Sequence, residues 1–241
     1  MAMTSPPLAR TPLYHWQAAH GARFVTSDGW QIPEVYSTVE QETAAANGGV
    51  ALADISAFAK VSLLGQGVSV LTAPLLGDGQ TLPPRSVARF EAGGEALACR
   101  LRVDHLFLLA TSTSTDALDK RLASLLQQYP IIAKNVTSAF AGFGLAGPHT
   151  GEVLRCLTSL DVSPSALPSG SCAETSLAGI QALLVSPPRS KLGVMHVYVA
   201  WDLGEYLWGR LLEAGERHQV APMGLKAWRA VTGDSLISPL F

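Results

Sequence analysis

Over the first quarter of the chain the spacing of apolar residues passes from helical to alternating, and residues suited to start or stop each element stand at the changes. Residues 12–20 carry a short amphipathic pattern. Thr11 is placed to cap it, Pro12 takes its first position, and Gly21 stands where a left-handed closing residue belongs. A second helix is expected from two capping-box spacings, Thr38 with Gln41 or Ser37 with Glu40. Its alanine-rich run reaches Ala46, and Asn47-Gly48-Gly49 ends it. Residues 53–64 then alternate, as a half-buried strand does.

A strand, a glycine turn and a helix recur further on. Residues 58–64 run into Gly65-Gln66-Gly67 and a short helix over 68–73. Phe143-Gly144-Leu145-Ala146-Gly147-Pro148 leads in the same way into a helix over 150–157, which points to an internal duplication. Between the repeats, 86–90, 95–103 and 106–111 read as strands separated by Gly93-Gly94 and Asp104-His105. A helix over 116–128 sets Leu118, Leu122, Leu125 and Leu126 on one face, with Thr115 as its cap. After a loop rich in Ser and Pro over 163–170, strands are expected at 178–185 and 195–200, then helices at 204–214 and 222–231. Pro222 opens the last helix and Gly233 stops it. These elements predict an α+β fold in which two related sheet-plus-helix halves face each other across a central cavity.

Composition narrows the function classes. With 241 residues, 48% of them hydrophobic, the chain can bury the core of one large or two small domains. A net charge of −2 without a basic cluster argues against a nucleic-acid partner. No apolar run reaches the roughly 18 residues that span a bilayer, and residues 1–10 lack the apolar stretch of a secretory signal. Residues 1–10 read as a disordered tail, no membrane partner is expected, and a cytoplasmic location is. Cys99, Cys156 and Cys172 lack metal-ligand or disulfide spacing and read as buried structural thiols. The six histidines are scattered, so a metal site would need distant positions to converge, and none is expected. Dinucleotide, P-loop, HExxH and GxSxG signatures are absent.

Several short pieces in order, Thr11-Pro12-Leu13, His20-Gly21-Ala22, Gly29-Trp30, residues 33–36 and Ala53-Asp54-Ile55-Ser56, together with the Leu-x-Gly-Pro turn at 145–148, resemble the glycine-cleavage T-protein family. These are tetrahydrofolate-dependent aminomethyltransferases, related to the folate domains of sarcosine and dimethylglycine oxidising enzymes. The resemblance implies that residues 11–241 form one folate-binding module of two intertwined halves. The family continues into a separate C-terminal β-barrel domain that this sequence lacks, so a second copy or a partner subunit is expected to cover the end at Leu240-Phe241, unless the tail packs on its own domain. The implied cofactor is tetrahydrofolate, and the implied partner a folate or other flat anionic small molecule.

The residues that carry the family's chemistry depart from its pattern. The resemblance puts a catalytic Asp on the strand after Gly93-Gly94, where this chain has Ala98 or Cys99. The nearest carboxylate, Glu95, is expected in the turn and on the wrong face. A pterin-binding Glu corresponds to Val194, and each ligand hydrogen left unmatched there would cost about 1–3 kcal/mol. His196 and Tyr198 share a strand face and either offer a substitute polar contact or are ordinary partly buried strand residues. Arg229 keeps a family arginine that pairs with an acidic ligand tail or anchors its helix. Arg100, if its face lines the cavity, makes that face basic. Tyr36, Asp54 and Thr111 complete the expected binding set, although Asp54 in Asp54-Ile55-Ser56 can equally be a turn former and Tyr36 a packing residue. Tyr14, Tyr36, Tyr198 and His196 are the acid–base candidates around such a cavity. The reading is an aminomethyltransferase-like folate-binding protein of one-carbon metabolism, with a non-catalytic subunit of a sarcosine-type oxidase as the alternative.

Overall fold

A computed structural model describes residues 8–77, 79–92, 94–110, 116–189 and 193–233. The chain opens with β1 (Ala9–Arg10), α1 (Tyr14–Ala19), β2 (Arg23–Ser27), β3 (Trp30–Val35), α2 (Val39–Gly48) and β4 (Val50–Asp54). The first repeat follows as β5 (Lys60–Leu64), α3 (Val68–Leu76), β6 (Ser86–Glu91), β7 (Glu95–Arg102), β8 (His105–Ala110), α4 (Asp116–Leu126) and β9 (Ile132–Asn135). The second comprises β10 (Phe140–Ala146), α5 (Thr150–Arg155), β11 (Ser171–Leu177), β12 (Ile180–Ser186), β13 (Met195–Ala200) and α6 (Gly204–Gly215). The described chain closes with β14 (Val220–Met223) and α7 (Leu225–Thr232).

The expected duplication is visible in the strand order. The large sheet runs β14-β4-β10-β13-β12-β11-β6-β7-β8-β5-β9. About the single β11–β6 pair, Ser171 with Ser86, the ten strands from β4 to β9 are palindromic and paired antiparallel throughout: β4 answers β9, β10 answers β5, β13 answers β8 and β12 answers β7, while β14 adds in parallel at the β4 edge. The same glycine closes the leading strand of each half. Gly65 and Gly147 have φ of +142° and +147°, and a Cβ on either would stand 2.4 or 2.2 Å from a backbone carbonyl oxygen, of Pro130 and Gly49 respectively. Only glycine tolerates both conditions.

Alternation along the strands sorts side chains into three apolar clusters. One outer face of the first half packs on α3 and α4 through Leu63, Leu71, Leu108 and Leu122. The second half packs on α5 and α6 through Phe143, Leu154, Val197 and Trp208. The two inner faces meet each other in a central layer that includes Leu97, Cys99, Phe107, Val185 and Tyr198, closed by Trp228 of α7 and by Ile32 of β3.

Several boundaries differ from those expected. The stretch 53–64 is two strands, because residues 55–59 fold into a turn. Ala9 and Arg10 are not part of a disordered tail but pair in parallel with Trp30 and Gln31, while residues 1–7 lie outside the described set. The Thr11 hydroxyl does not cap α1; it is buried without a hydrogen-bond partner. Thr38 does cap α2, accepting from the Gln41 amide at 3.2 Å. Pro222 sits in β14, a strand paired in parallel with β4, and α7 starts only after Gly224. β11 escaped the sequence reading. It joins β12 through Ala178-Gly179, both at positive φ, as a tight hairpin requires.

Candidate functional site

Cross-strand pairing on the inner face of the second half builds an aromatic group. Gly142 and Gly144 of β10 lie opposite Tyr198 and His196 of β13. An added Cβ at Gly142 would meet the Tyr198 ring at 2.8 Å, and one at Gly144 the Trp228 ring at 2.3 Å, so these two glycines make the floor on which both rings lie. His196 and Tyr198 share the inner face, as their spacing requires, with the Tyr198 hydroxyl 3.3 Å from His196 Nδ1. The imidazole also lies 5.7 Å from the Trp228 ring, and Phe107 meets Tyr198 edge-on at 6.2 Å.

Burial, and secondarily the Arg89 guanidinium, lowers the His196 pKa to about 4. At neutral pH this ring is therefore uncharged, with one donor and one acceptor. Burial drives the Tyr198 phenol and the Cys99 thiol well above their ordinary values, so both stay protonated.

The other landmark positions are equally enclosed. Cys99 is fully buried and faces the central layer, whereas Ala98 faces the α3 and α4 side. Val194 is buried in the central layer, and its side chain offers no polar group. Glu95 differs from expectation. It begins β7 instead of lying in the turn, and four residues before Cys99 it shares the Cys99 face, where it forms an ion pair with Arg89 of β6. Arg100 is the opposite case. Its odd offset from Cys99 turns it away from the central layer, and its donors are engaged by the carbonyls of Leu82, Arg102 and Val103 and by the Ser69 hydroxyl. The inner face is therefore not made basic by Arg100, and Arg102 points outward to Glu174.

Asp54 acts as the turn former. One carboxylate oxygen accepts from the Ser56 amide at 2.9 Å and the other from the Gln17 amide group at 2.6 Å. Ser56 then holds Gly142 through its hydroxyl, which lies 3.0 Å from the amide and 3.3 Å from the carbonyl oxygen. The Tyr36 hydroxyl is buried without a hydrogen-bond partner, and burial together with Asp54 and Glu42 raises its pKa. Arg229 lies half-buried in the last turn of α7. Thr111 falls outside the described residues. Tyr14 stacks with Phe24 and lies under the Arg10 guanidinium, apart from the His196 group.

Residues not singled out from sequence complete the site. A hollow of about 540 Å³ opens at the rim of the first half, lined by Arg89, Glu95, Arg121, Arg189 and Thr232 among others. Arg89 links it to the interior, because the same guanidinium that pairs with Glu95 lowers the His196 pKa. Its Nε also donates to the Pro188 carbonyl at 2.8 Å. No local motif flags these arginines; they are far apart in sequence. Two buried charges are structural. Lys60 Nζ donates to the carbonyls of Ser56, Phe58 and Thr137, and Glu42 accepts from the amides of Tyr36, Ser37 and Gly224. Of the cysteines, Cys99 and Cys172 are buried as expected, while Cys156 is exposed. Among the described residues no helix is long and apolar enough to cross a membrane.

This geometry has close counterparts. The chain is 28% identical over 227 residues to an aminomethyltransferase of Lysinibacillus sphaericus (strain C3-41), a match covering 90% of this chain and 61% of that protein. It is 25% identical over 230 residues to the aminomethyltransferase of Bacillus subtilis (strain 168), with 91% and 62% covered. The chain thus spans about three-fifths of the length of these curated relatives. Among solved structures, the glycine cleavage system aminomethyltransferase T from Bartonella henselae superposes with a TM-score of 0.77 at 19% identity, covering 93% of this chain and 62% of that one. A chain of heterotetrameric sarcosine oxidase from Corynebacterium sp. U-96 superposes with a TM-score of 0.63 at 21% identity, covering 88% of this chain and 97% of that one. The profile of the GCVT N-terminal domain matches residues 13–234, nearly the whole sequence: this chain belongs to the GCVT N-terminal domain family.

Proposed function

We propose that this chain is an aminomethyltransferase-family domain that binds a flat, anionic folate-type ligand and does not itself carry out aminomethyl transfer. The observation that supports this reading is the contrast between the arginine-lined hollow and the central layer beside it, where Cys99 and Val194 stand at the positions the family resemblance gives to acids.

Tetrahydrofolate can be set against the residues present. Its anionic tail suits Arg189, and would have to draw Arg89 from Glu95 and Arg121 from the carbonyls of Pro74 and Leu75 in a lining that also holds Glu91; a volume near 540 Å³ is within the usual range for small-molecule sites. The neutral His196 ring lies outside the lining of the hollow, packed on Trp228 and Tyr198, and offers the ligand no contact there. The pterin's amino hydrogens call for a two-point acceptor, which Val194 cannot supply, and a protonated, fully buried Cys99 cannot stabilise a cationic centre. The residues therefore suit the tail and not the pterin. No step of transfer is assigned to them.

Calorimetric titration of the full chain with tetrahydrofolate and with folate tests this, with quenching of its five tryptophans as a second readout. Saturable binding at micromolar ligand is expected, weakened about tenfold by Arg189→Ala through loss of one charge-assisted contact. Absence of heat and quenching at about 1 mM ligand, equivalent to roughly 4 kcal/mol of binding, would overturn it.

A second reading, service as a non-catalytic subunit of an amine-oxidising assembly, is favoured by the sarcosine oxidase likeness, which covers 97% of that chain. Light scattering coupled to size exclusion separates the two. A monodisperse monomer that binds folate counts against the subunit reading, and a stable dimer without ligand binding counts for it.

A further inference from the structure

The second glycine turn carries a side-chain cluster that the ligand site leaves unused. His149 sits just before α5 and Glu152 within its first turn, while His218 lies in the one-turn 3-10 helix Glu216–His218 that follows α6. His149 Nδ1 stands 2.7 Å and His218 Nδ1 3.2 Å from the same oxygen, Glu152 Oε2. The two imidazoles are stacked at 5.0 Å, so both direct their Nδ1 atoms toward one point. The ligand atoms of all three residues lie within 4.8 Å of one another.

We propose that His149, Glu152 and His218 form a binding site for a divalent cation of the zinc class. Two imidazole nitrogens and one carboxylate oxygen make a donor set that zinc takes in open sites, where three protein ligands leave the fourth position to water. Around a tetrahedral zinc the donor atoms stand roughly 3.4 Å apart, a spacing these atoms reach by small side-chain rotations. Side-chain exposures of 41%, 43% and 25% leave room for the fourth ligand.

The backbone holds the segments ready. Gly147, two residues before His149, lies so close to the Gly49 carbonyl that a Cβ would stand 2.2 Å from it, and a Cβ on Gly49 would stand 2.6 Å from the His218 carbonyl oxygen. One backbone segment thus backs both histidines and fixes their separation. Bound metal would clip the start of α5 to the turn after α6. The site shares no side chain with the arginine-lined hollow, so it stands independently of the folate reading.

The test uses the full, tag-free chain stripped of metal. Titration with Co²⁺, followed by visible absorption, and with Zn²⁺, followed by calorimetry, should show one equivalent bound at micromolar or tighter affinity, with the intense Co²⁺ bands of a four-coordinate site. His218→Ala and Glu152→Gln should each weaken binding at least about tenfold, and Zn²⁺ should raise the melting temperature of the wild type but not of Glu152→Gln. Cys156→Ser, which removes the exposed thiol one turn along α5, should leave affinity unchanged. If His218→Ala fails to fold, Glu152→Gln carries the test. Failure to saturate by about 1 mM metal, indifference to Glu152→Gln, or loss of binding in Cys156→Ser would each overturn the proposal, the last by showing a thiol site instead.

Discussion

The two halves of the large sheet use one backbone plan and two sets of side chains. Superposing them by strand pairing puts Phe107 of β8 where β13 has His196, and Leu109 where it has Tyr198. On the leading strands Lys60 and Ser62 answer Gly142 and Gly144. In the glycine turns Gly67 and Val70 of the first half answer His149 and Glu152 of the second. The shared residues are those the backbone demands, Gly65 and Gly147. The others differ because a strand position fixes only which way a side chain points. The first half sets Leu97, Cys99 and Phe107 on its inner face, with the Arg89–Glu95 ion pair at its rim, and buries Lys60 beneath the strand-linking turn. The second clears space with glycines and fills it with an imidazole, a phenol and an indole.

The largest expected effect tests the shared plan. Gly65→Ala and Gly147→Ala each force a Cβ onto a carbonyl oxygen at positive φ, and each should cost about 4 kcal/mol or more in chemical denaturation. Tolerance of one and not the other would show that the two turns are not equivalent.

Lys60→Met removes three donors from buried carbonyls in the first half alone and should cost about 3 kcal/mol. Burial lowers the Lys60 pKa to about 7, against the pull of Asp54, while the unfolded chain keeps the proton to about 10.5. Between those values the unfolded state binds more protons, so stability rises with pH, and Lys60→Met should flatten that rise in denaturation curves collected from pH 7 to 10.

In the second half the titrating group is His196. The folded chain keeps this ring neutral down to about pH 4, whereas the unfolded chain takes up the proton near 6.5. Stability should therefore fall by about 3 kcal/mol as pH drops from 6.5 to 4 and show no further contribution from this group below. Replacing His196 with its first-half counterpart, His196→Phe, should remove that component while the circular dichroism spectrum is kept. A variant whose pH profile matches the wild type would place the titration elsewhere.

The smallest effect leaves stability untouched. Cys99 and Cys172 are buried in the central layer, and Cys156 is exposed. A thiol reagent should label one cysteine rapidly in the native chain and all three after unfolding. Rapid labelling of Cys99 would mean that the central layer opens to solvent.

How far the sequence could be read depended on whether a signal was local. The glycine turns, the α2 cap at Thr38, the amphipathic face of α4 and the His196–Tyr198 pairing all rest on neighbours within a few residues, and each stands as expected. The family resemblance was legible for the same reason, since its motifs are short and ordered. The facing of Glu95 and Arg100 stayed open, because alternation along a strand does not say which face meets the core, and only the packing of β7 turns Cys99 inward. Pro222 reads as a helix opener, yet parallel pairing with β4 holds it in β14. Asp54 and Tyr36 kept two meanings until the partners around them, Gln17, Ser56 and Glu42, were known.

The sequence alone determined the repeated strand, turn and helix and the family, since both are written in local order and residue type. Only the tertiary structure decided that Cys99, Val194 and Tyr198 would pack into one apolar layer, that three distant arginines would share a hollow, and that His149 and His218 would meet at Glu152. The reason is physical. A local signal acts through bonds and turns a few residues long, whereas desolvation and charge pairing act between surfaces that exist only after the sheet has folded back on itself.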